Sequence, residues 1–218
     1  MQAQQLAVLF GLAGAAFSLS MVLPQAALIW RDRSYVGVSL GSWLLLTLTA
    51  STWAGFALRT GNVALGLGNT SFLLACWWVL VAASRADGYP SPRTAFMALV
   101  VLTADLLAFL TGLSAPLGLV VIIGVAASFV RTPQVIRSYQ TWRASGPSEV
   151  SRTSLWIGFA GNCSWTLHGI LRGDPFVTLS AGCGTAVAAS IITVELAAQR
   201  RRIVLPESLD PELERGAA

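Results

Sequence analysis

Marked out as apolar and polar positions, the chain is a succession of long apolar runs separated by short polar breaks. A helix needs about 20 apolar residues to cross the hydrocarbon of a bilayer. On that ruler the runs predict seven helices, over Leu6–Trp30, Val38–Leu58, Val63–Ser84, Thr94–Leu113, Pro116–Ser138, Ser154–Leu171 and Pro175–Ala197. The breaks Arg59-Thr60-Gly61-Asn62 and Arg172-Gly173-Asp174-Pro175 read as tight turns. From Gln199 onward the chain is charged and holds two prolines, which reads as a solvated, loosely ordered tail.

The runs come in two similar sets. Leu23-Pro24-Gln25 closes one and Thr132-Pro133-Gln134 closes another; arginines follow in both places, and a Val-Ser pair opens the next run at Val38-Ser39 and Val150-Ser151. A shift of 109 carries Pro24 to Pro133, and a shift of 112 then pairs Trp53 with Trp165, Gly61 with Gly173 and Leu67 with Leu179. Each unit is three helices, over 6–84 and 116–197, with a linking helix over 94–113 between them and a cytoplasmic tail over 198–218. Three spans invert the chain's direction, so a single linking span brings the second unit back to the orientation of the first. The expected architecture is therefore all-α, with two parallel three-helix bundles related by an axis along the membrane normal. Proline inside a helix removes one ladder bond and loosens the turn before it, so Pro24-Gln25 and Pro133-Gln134 read as paired hinges.

Composition supports a membrane assignment. The chain is 55% hydrophobic and 11% charged, with mean hydropathy +0.67, against about 25% charged residues in soluble domains. All 14 basic residues are arginine, giving a net charge of +4. They are scattered between apolar runs and form no basic face for nucleic acid. With the N-terminus outside, the inward segments hold eleven arginines and the outward segments only Arg59 and Arg172. The positive-inside rule thus places the C-terminus in the cytoplasm. Arginine without lysine, and the small size, fit a bacterial inner membrane. The uncharged start Met1–Gln5 lacks the basic region of a leader, so the first run reads as a mature helix.

Chemistry is sparse. Cys76, Cys163 and Cys183 lie inside apolar runs without paired spacing, and His168 has no ligand-like neighbours, so neither a metal nor a cofactor site is expected. His168 reads as a wetted residue near the outer end of its helix. No catalytic constellation occurs, and an enzyme is not expected. Asp105 falls mid-span in the linking helix, where a carboxylate is expensive and is a functional candidate by default. Arg131 on the next helix is its candidate partner, either as a structural pair or as part of a proton-coupling site. Thr49 and Trp53 share one helix face, and Asn69 follows on the next helix. Ser20 stands one turn before Pro24, with Phe129 in the equivalent place before Pro133.

The duplicated Pro-Gln, the 3+1+3 helix count and the stretch Trp165-Thr-Leu-His-Gly-Ile-Leu-Arg-Gly-Asp-Pro-Phe-Val resemble the SWEET and PQ-loop transporters over residues 6–197. The resemblance implies alternating-access passage of a small polar solute, most simply a sugar. It also implies a site lined by the tryptophans of helices two and six and by asparagines of helices three and seven. Trp53, Trp165 and Asn69 match that pattern. Ala181 stands where the fourth asparagine would be, and Asn162, on one face with Trp165, is the candidate substitute. Thr49, Ser20 and Phe129 complete the expected lining. The prolines that many SWEETs carry on helices two and six are absent here. Two alternatives stay open: a proton-coupled exporter of amino acids or other metabolites, and a non-transporting receptor of the same fold. The expected partners are a solute and the lipid bilayer, with a homo-oligomer left open.

Overall fold

The computed structural model describes residues 2–33, 40–86, 92–129 and 152–204. Among them run seven helices and no strand: α1 (Gln2–Asp32), α2 (Leu40–Thr60), α3 (Val63–Ala86), α4 (Pro92–Ser114), α5 (Leu117–Ser128), α6 (Arg152–Arg172) and α7 (Pro175–Val204). In lipid every backbone amide and carbonyl must be satisfied within the chain, and a continuous helix does this without help from a neighbour. That constraint is why apolar length alone locates the elements. One boundary differs from expectation. α7 continues through Gln199–Val204, the start of the expected tail, because Gln and Arg are good helix formers and arginines suit a helix C-terminus. The remainder of the expected fifth run, with Arg131, Pro133 and Gln134, lies outside the described residues.

Four helices have a segment long and apolar enough to cross a bilayer: Gln2–Asp32, Val63–Arg85, Ala95–Ser114 and Pro175–Val194. α2 and α6 are not among them, and both bury polar groups. Thr47, Ser51 and Thr52 of α2 and Ser164 and His168 of α6 are all buried.

Packing follows the repeat. α3 lies between α1 and α2, and α7 lies between α5 and α6. The two triplets meet along α1 against α6 and α2 against α5, which is the cross-pairing a two-fold relation demands. The duplication extends to single hydrogen bonds. α2 and α6 both end in a Schellman turn, with Gly61 at φ 62° and Gly173 at φ 70°, a conformation that favours glycine. In the first turn Asn62 N–H donates to Ala57 O (2.9 Å) and Gly61 N–H to Leu58 O (3.4 Å). In the second, Asp174 N–H donates to Gly169 O (2.9 Å) and Gly173 N–H to Ile170 O (3.1 Å). The next residue caps the following helix in both units: Asn62 Oδ1 accepts Leu65 N–H at 3.2 Å, and Asp174 Oδ1 accepts Phe176 and Val177 N–H at 3.0 and 3.1 Å. Here the end of the bundle bearing these turns is termed the turn end.

α4 packs chiefly on α2. Gly55 faces the Phe109 carbonyl and Gly112 faces the Thr52 carbonyl, so the two backbones touch where either side chain would intrude. Arg59 at the end of α2 donates to Ala115 O at 2.6 Å. The linker is thereby fastened to the first triplet.

Candidate functional site

Where the two triplets meet, a cavity of about 190 Å³ opens between α2, α3, α5, α6 and α7. Six of the eight residues expected to line a site do so: Thr49, Trp53, Asn69, Asn162, Trp165 and Ala181. None of the described residues that line it is ionisable. Both asparagines donate their amide to their own helix, Asn69 Nδ2 to Leu65 O and Asn162 Nδ2 to Gly158 O, each at 2.9 Å. That leaves each Oδ1 as an acceptor. Asn162 leans over Gly184, where an added Cβ would meet its Oδ1 at 2.5 Å. Its amide thus reaches α7 one turn from Ala181, beside the place where the resemblance expects an asparagine.

The two tryptophans cross between the halves. Trp53, on α2 of the first triplet, lies against Gly124 of α5 in the second, where a Cβ would sit 2.5 Å from Cζ2. Trp165, on α6 of the second triplet, lies against Gly14 of α1 and Gly68 of α3 in the first, where a Cβ would sit 2.9 Å from the indole. Each indole therefore forms one wall of the cavity while resting on the opposite half. Trp53 meets Phe56 edge-on with ring centroids 5.4 Å apart, and Trp165 meets His168 edge-on at 5.5 Å.

Ser20 and Phe129 are placed elsewhere. α1 buries Ala7, Gly11, Gly14, Val22, Ala26 and Ile29, and Ser20 stands nearly opposite Val22. It is exposed and donates to its own helix at Ala16 O, 2.8 Å away, so its hydroxyl needs no inward partner. Phe129, 54% exposed, stands well round the helix from Gly124 and does not join Gly124, Ala127 and Ser128 in lining the cavity. Pro24 sits within an unbroken α1 and is exposed, with Gln25 half-buried.

Asp105 is 6% exposed but does not reach the cavity. Its Oδ2 accepts Trp77 Nε1–H from α3 at 3.0 Å, and Oδ1 has no partner among the described residues. The hydroxyls of Thr47 and Ser51 stand beside it, on the side of α2 away from Thr49 and Trp53. His168 also differs from expectation. Instead of being wetted, it is 1% exposed, because α1 and the Asn62 turn of the other half close over it.

The sequence reading gave no site role to Ser128, Ser180, Gly124 or Gly184, all of which line the cavity. Ser128 Oγ donates to Ser180 O at 3.1 Å and so ties α5 to α7. Of these, only Gly182-Cys-Gly184 carried a visible signal, a small-residue stretch suited to close helix contact.

No protein-family model matches the sequence, and none of the curated proteins matches it either. The structure is similar to that of a eukaryotic SWEET transporter solved at 3.7 Å, with a TM-score of 0.76 and 16% sequence identity. The match covers 92% of this chain and 100% of that one. The chain has the SWEET fold.

Proposed function

We propose that this membrane protein is an alternating-access transporter that lets a small, neutral, polyhydroxylated solute, a sugar of about monosaccharide size, pass down its gradient. The observation that carries the reading is the crossing of Trp53 and Trp165. Each indole walls the cavity while lying on the opposite triplet, so rocking of the triplets moves the walls of the site itself. The lining suits such a solute: aromatic faces for its C–H surfaces and amide and hydroxyl oxygens for its hydroxyl donors. A zwitterionic amino acid would leave both of its charges without a counter-charge there, which is expensive in a buried site. That weighs against the amino-acid exporter. Pro24-Gln25 and Pro133-Gln134 serve as the hinges.

The test is uptake of labelled hexoses into liposomes holding the purified protein. Uptake is expected for at least one hexose and should be lost in Trp53→Ala and in Trp165→Ala. Binding without flux would favour the receptor reading, and undiminished uptake in both variants would refute the site.

A further inference from the structure

Nothing in the shape of its surroundings requires residue 168 to be histidine. The shift of 112 pairs it with Phe56, and the two rings sit alike, edge-on to their tryptophans at 88° and each 1% exposed. Phenylalanine fills one position. The other holds a ring with two nitrogens, and each nitrogen is bonded to the opposite triplet. Nδ1 lies 2.7 Å from Ala7 O on α1, and Nε2 lies 3.0 Å from Asn62 Nδ2 at the start of α3. Gly11 makes the approach possible, since a Cβ there would stand 2.8 Å from Nδ1.

The partners dictate the proton's place. A carbonyl can only accept, so Nδ1 carries the hydrogen. The Asn62 amide is oriented by its own cap: Oδ1 takes Leu65 N–H, which turns Nδ2 toward the ring. Nε2 must then accept. Only the neutral Nδ1–H form satisfies both bonds. A second proton on Nε2 would set one donor against another in a site closed to water. Relief requires the Asn62 amide to turn over, which gives up the α3 cap, or the ring to leave the space between the triplets.

The charged groups near the turn end are engaged elsewhere. Arg59 of α2 donates to Ala115 O, Arg172 of α6 donates to Gly61 O at 3.4 Å, and Asp174 caps α7. α1 and α3 meet this region with Ala7, Gly11, Asn62 and Ala64, none of them ionisable. Among the described residues no carboxylate bonds to the ring, so none stands ready to hold an imidazolium.

We propose that His168 is a proton-sensitive latch between the two triplets at the turn end: neutral, it holds that end shut, and protonated, it lets go. The arginine distribution places this end outside, so external acid would favour opening outward. The latch rests on the rocking motion proposed above, and the test separates the two.

Spin labels on cysteines introduced at Val63 and Ile170 report the separation of the triplets by pulsed dipolar spectroscopy in liposomes, with Cys76, Cys163 and Cys183 replaced by alanine. Both sites are exposed and lie in opposite triplets. As the external pH is lowered stepwise from neutral into mild acid, the distribution is expected to move to longer distances. His168→Gln can donate to Ala7 and accept from Asn62 but takes up no proton, so the shift should be lost. His168→Phe, copying Phe56, should also show no pH response. A distribution that does not change with pH, or the same shift in His168→Gln, would overturn the latch. Hexose uptake at about pH 7.5 is read alongside. Uptake with pH-independent distances sinks the latch alone. Absent uptake, with a shift that glutamine abolishes, sinks the transport reading and leaves the latch. In the chain with its own cysteines, the pH profile of uptake is the second readout, and His168→Gln should flatten it.

Discussion

Gly124 and Gly68 shape the site by lacking a side chain. A Cβ at Gly124 would lie 2.5 Å from Trp53 Cζ2, and one at Gly68 would lie 2.9 Å from Trp165 Cζ2. An indole is rigid and both rings are wedged between helices, so the extra methyl must displace ring or backbone. Overpacking of this kind costs about 1–3 kcal/mol. Gly124→Ala and Gly68→Ala are therefore expected to lower the thermal midpoint and to weaken hexose uptake. Gly118→Ala, on α5 with open space around it, should change neither. Equal effects in all three would mean the tryptophans are not held by these contacts.

At this scale, what the sequence revealed depended on how each side chain is satisfied. Trp53, Trp165 and Asn69 could be placed because the resemblance implies tryptophans and asparagines at those positions, and Thr49 because it shares a helix face with Trp53 and polar groups in a membrane helix tend to face inward. Ser20 could not, since a serine that bonds its own helix may face lipid. Its position relative to Pro24 does not determine its angle around the helix. Gly68 was legible only as part of Gly66-Leu-Gly68, a small-residue stretch suited to close helix contact; that it and Gly124 lie under tryptophans was not, because this depends on where a side chain from the other triplet lands. His168 was misread for the same reason: the groups that bury it, Ala7 and Asn62, lie over a hundred positions away and reach it only through the crossing of α1 and α6.

Among the elements, α4 is the one without a repeat mate, and its attachment is specific. The Gly55 and Gly112 contacts set its distance from α2, and the Trp77–Asp105 bond ties it to α3. Hydrogen bonds between membrane helices contribute about 0.6–2 kcal/mol. Trp77→Phe and Asp105→Leu should each destabilise within that range. A double-mutant cycle should show most of the loss shared, because both remove the same bond. If Asp105 is structural, as its place behind α2 argues, Asp105→Asn keeps whatever pH response uptake has, whereas His168→Gln loses it. The opposite outcome would make Asp105 the coupling acid and revive the proton-coupled exporter. Apolar length made all seven helices legible, since lipid leaves the backbone no other solution. α2 and α6 fall short of a simple apolar span because polar groups are spread around them, some turned to the cavity, as Thr49 and Asn162 are, and some to neighbouring helices, as Thr47 and Ser51 are to α4.

For the molecule as a whole, the proposed transport cycle requires one end to open while the other closes. α1 takes part at both ends. Near the turn end Ala7 bonds His168, and toward the other end Arg85 of α3 stacks over Trp30, 4.0 Å from the ring centroid. Pro24 lies between these anchors, and having no N–H it leaves the Ser20 carbonyl without its ladder donor. A bend there would let the Trp30 end move while the Ala7 end stays latched. Pro24→Ala restores the missing bond and stiffens the helix, so uptake is expected to slow roughly tenfold, with kcat and KM changing together as for a hinge, while the thermal midpoint holds or rises. A proline serving only to shape α1 would give a different result, with uptake unchanged once the helix is repaired. Combining Pro24→Ala with His168→Gln separates hinge from latch. If the hinge is the moving part and the latch only biases it, the double variant should be as slow as Pro24→Ala and as insensitive to pH as His168→Gln. Recovery of speed in the double variant would mean that the two ends are not mechanically joined through α1.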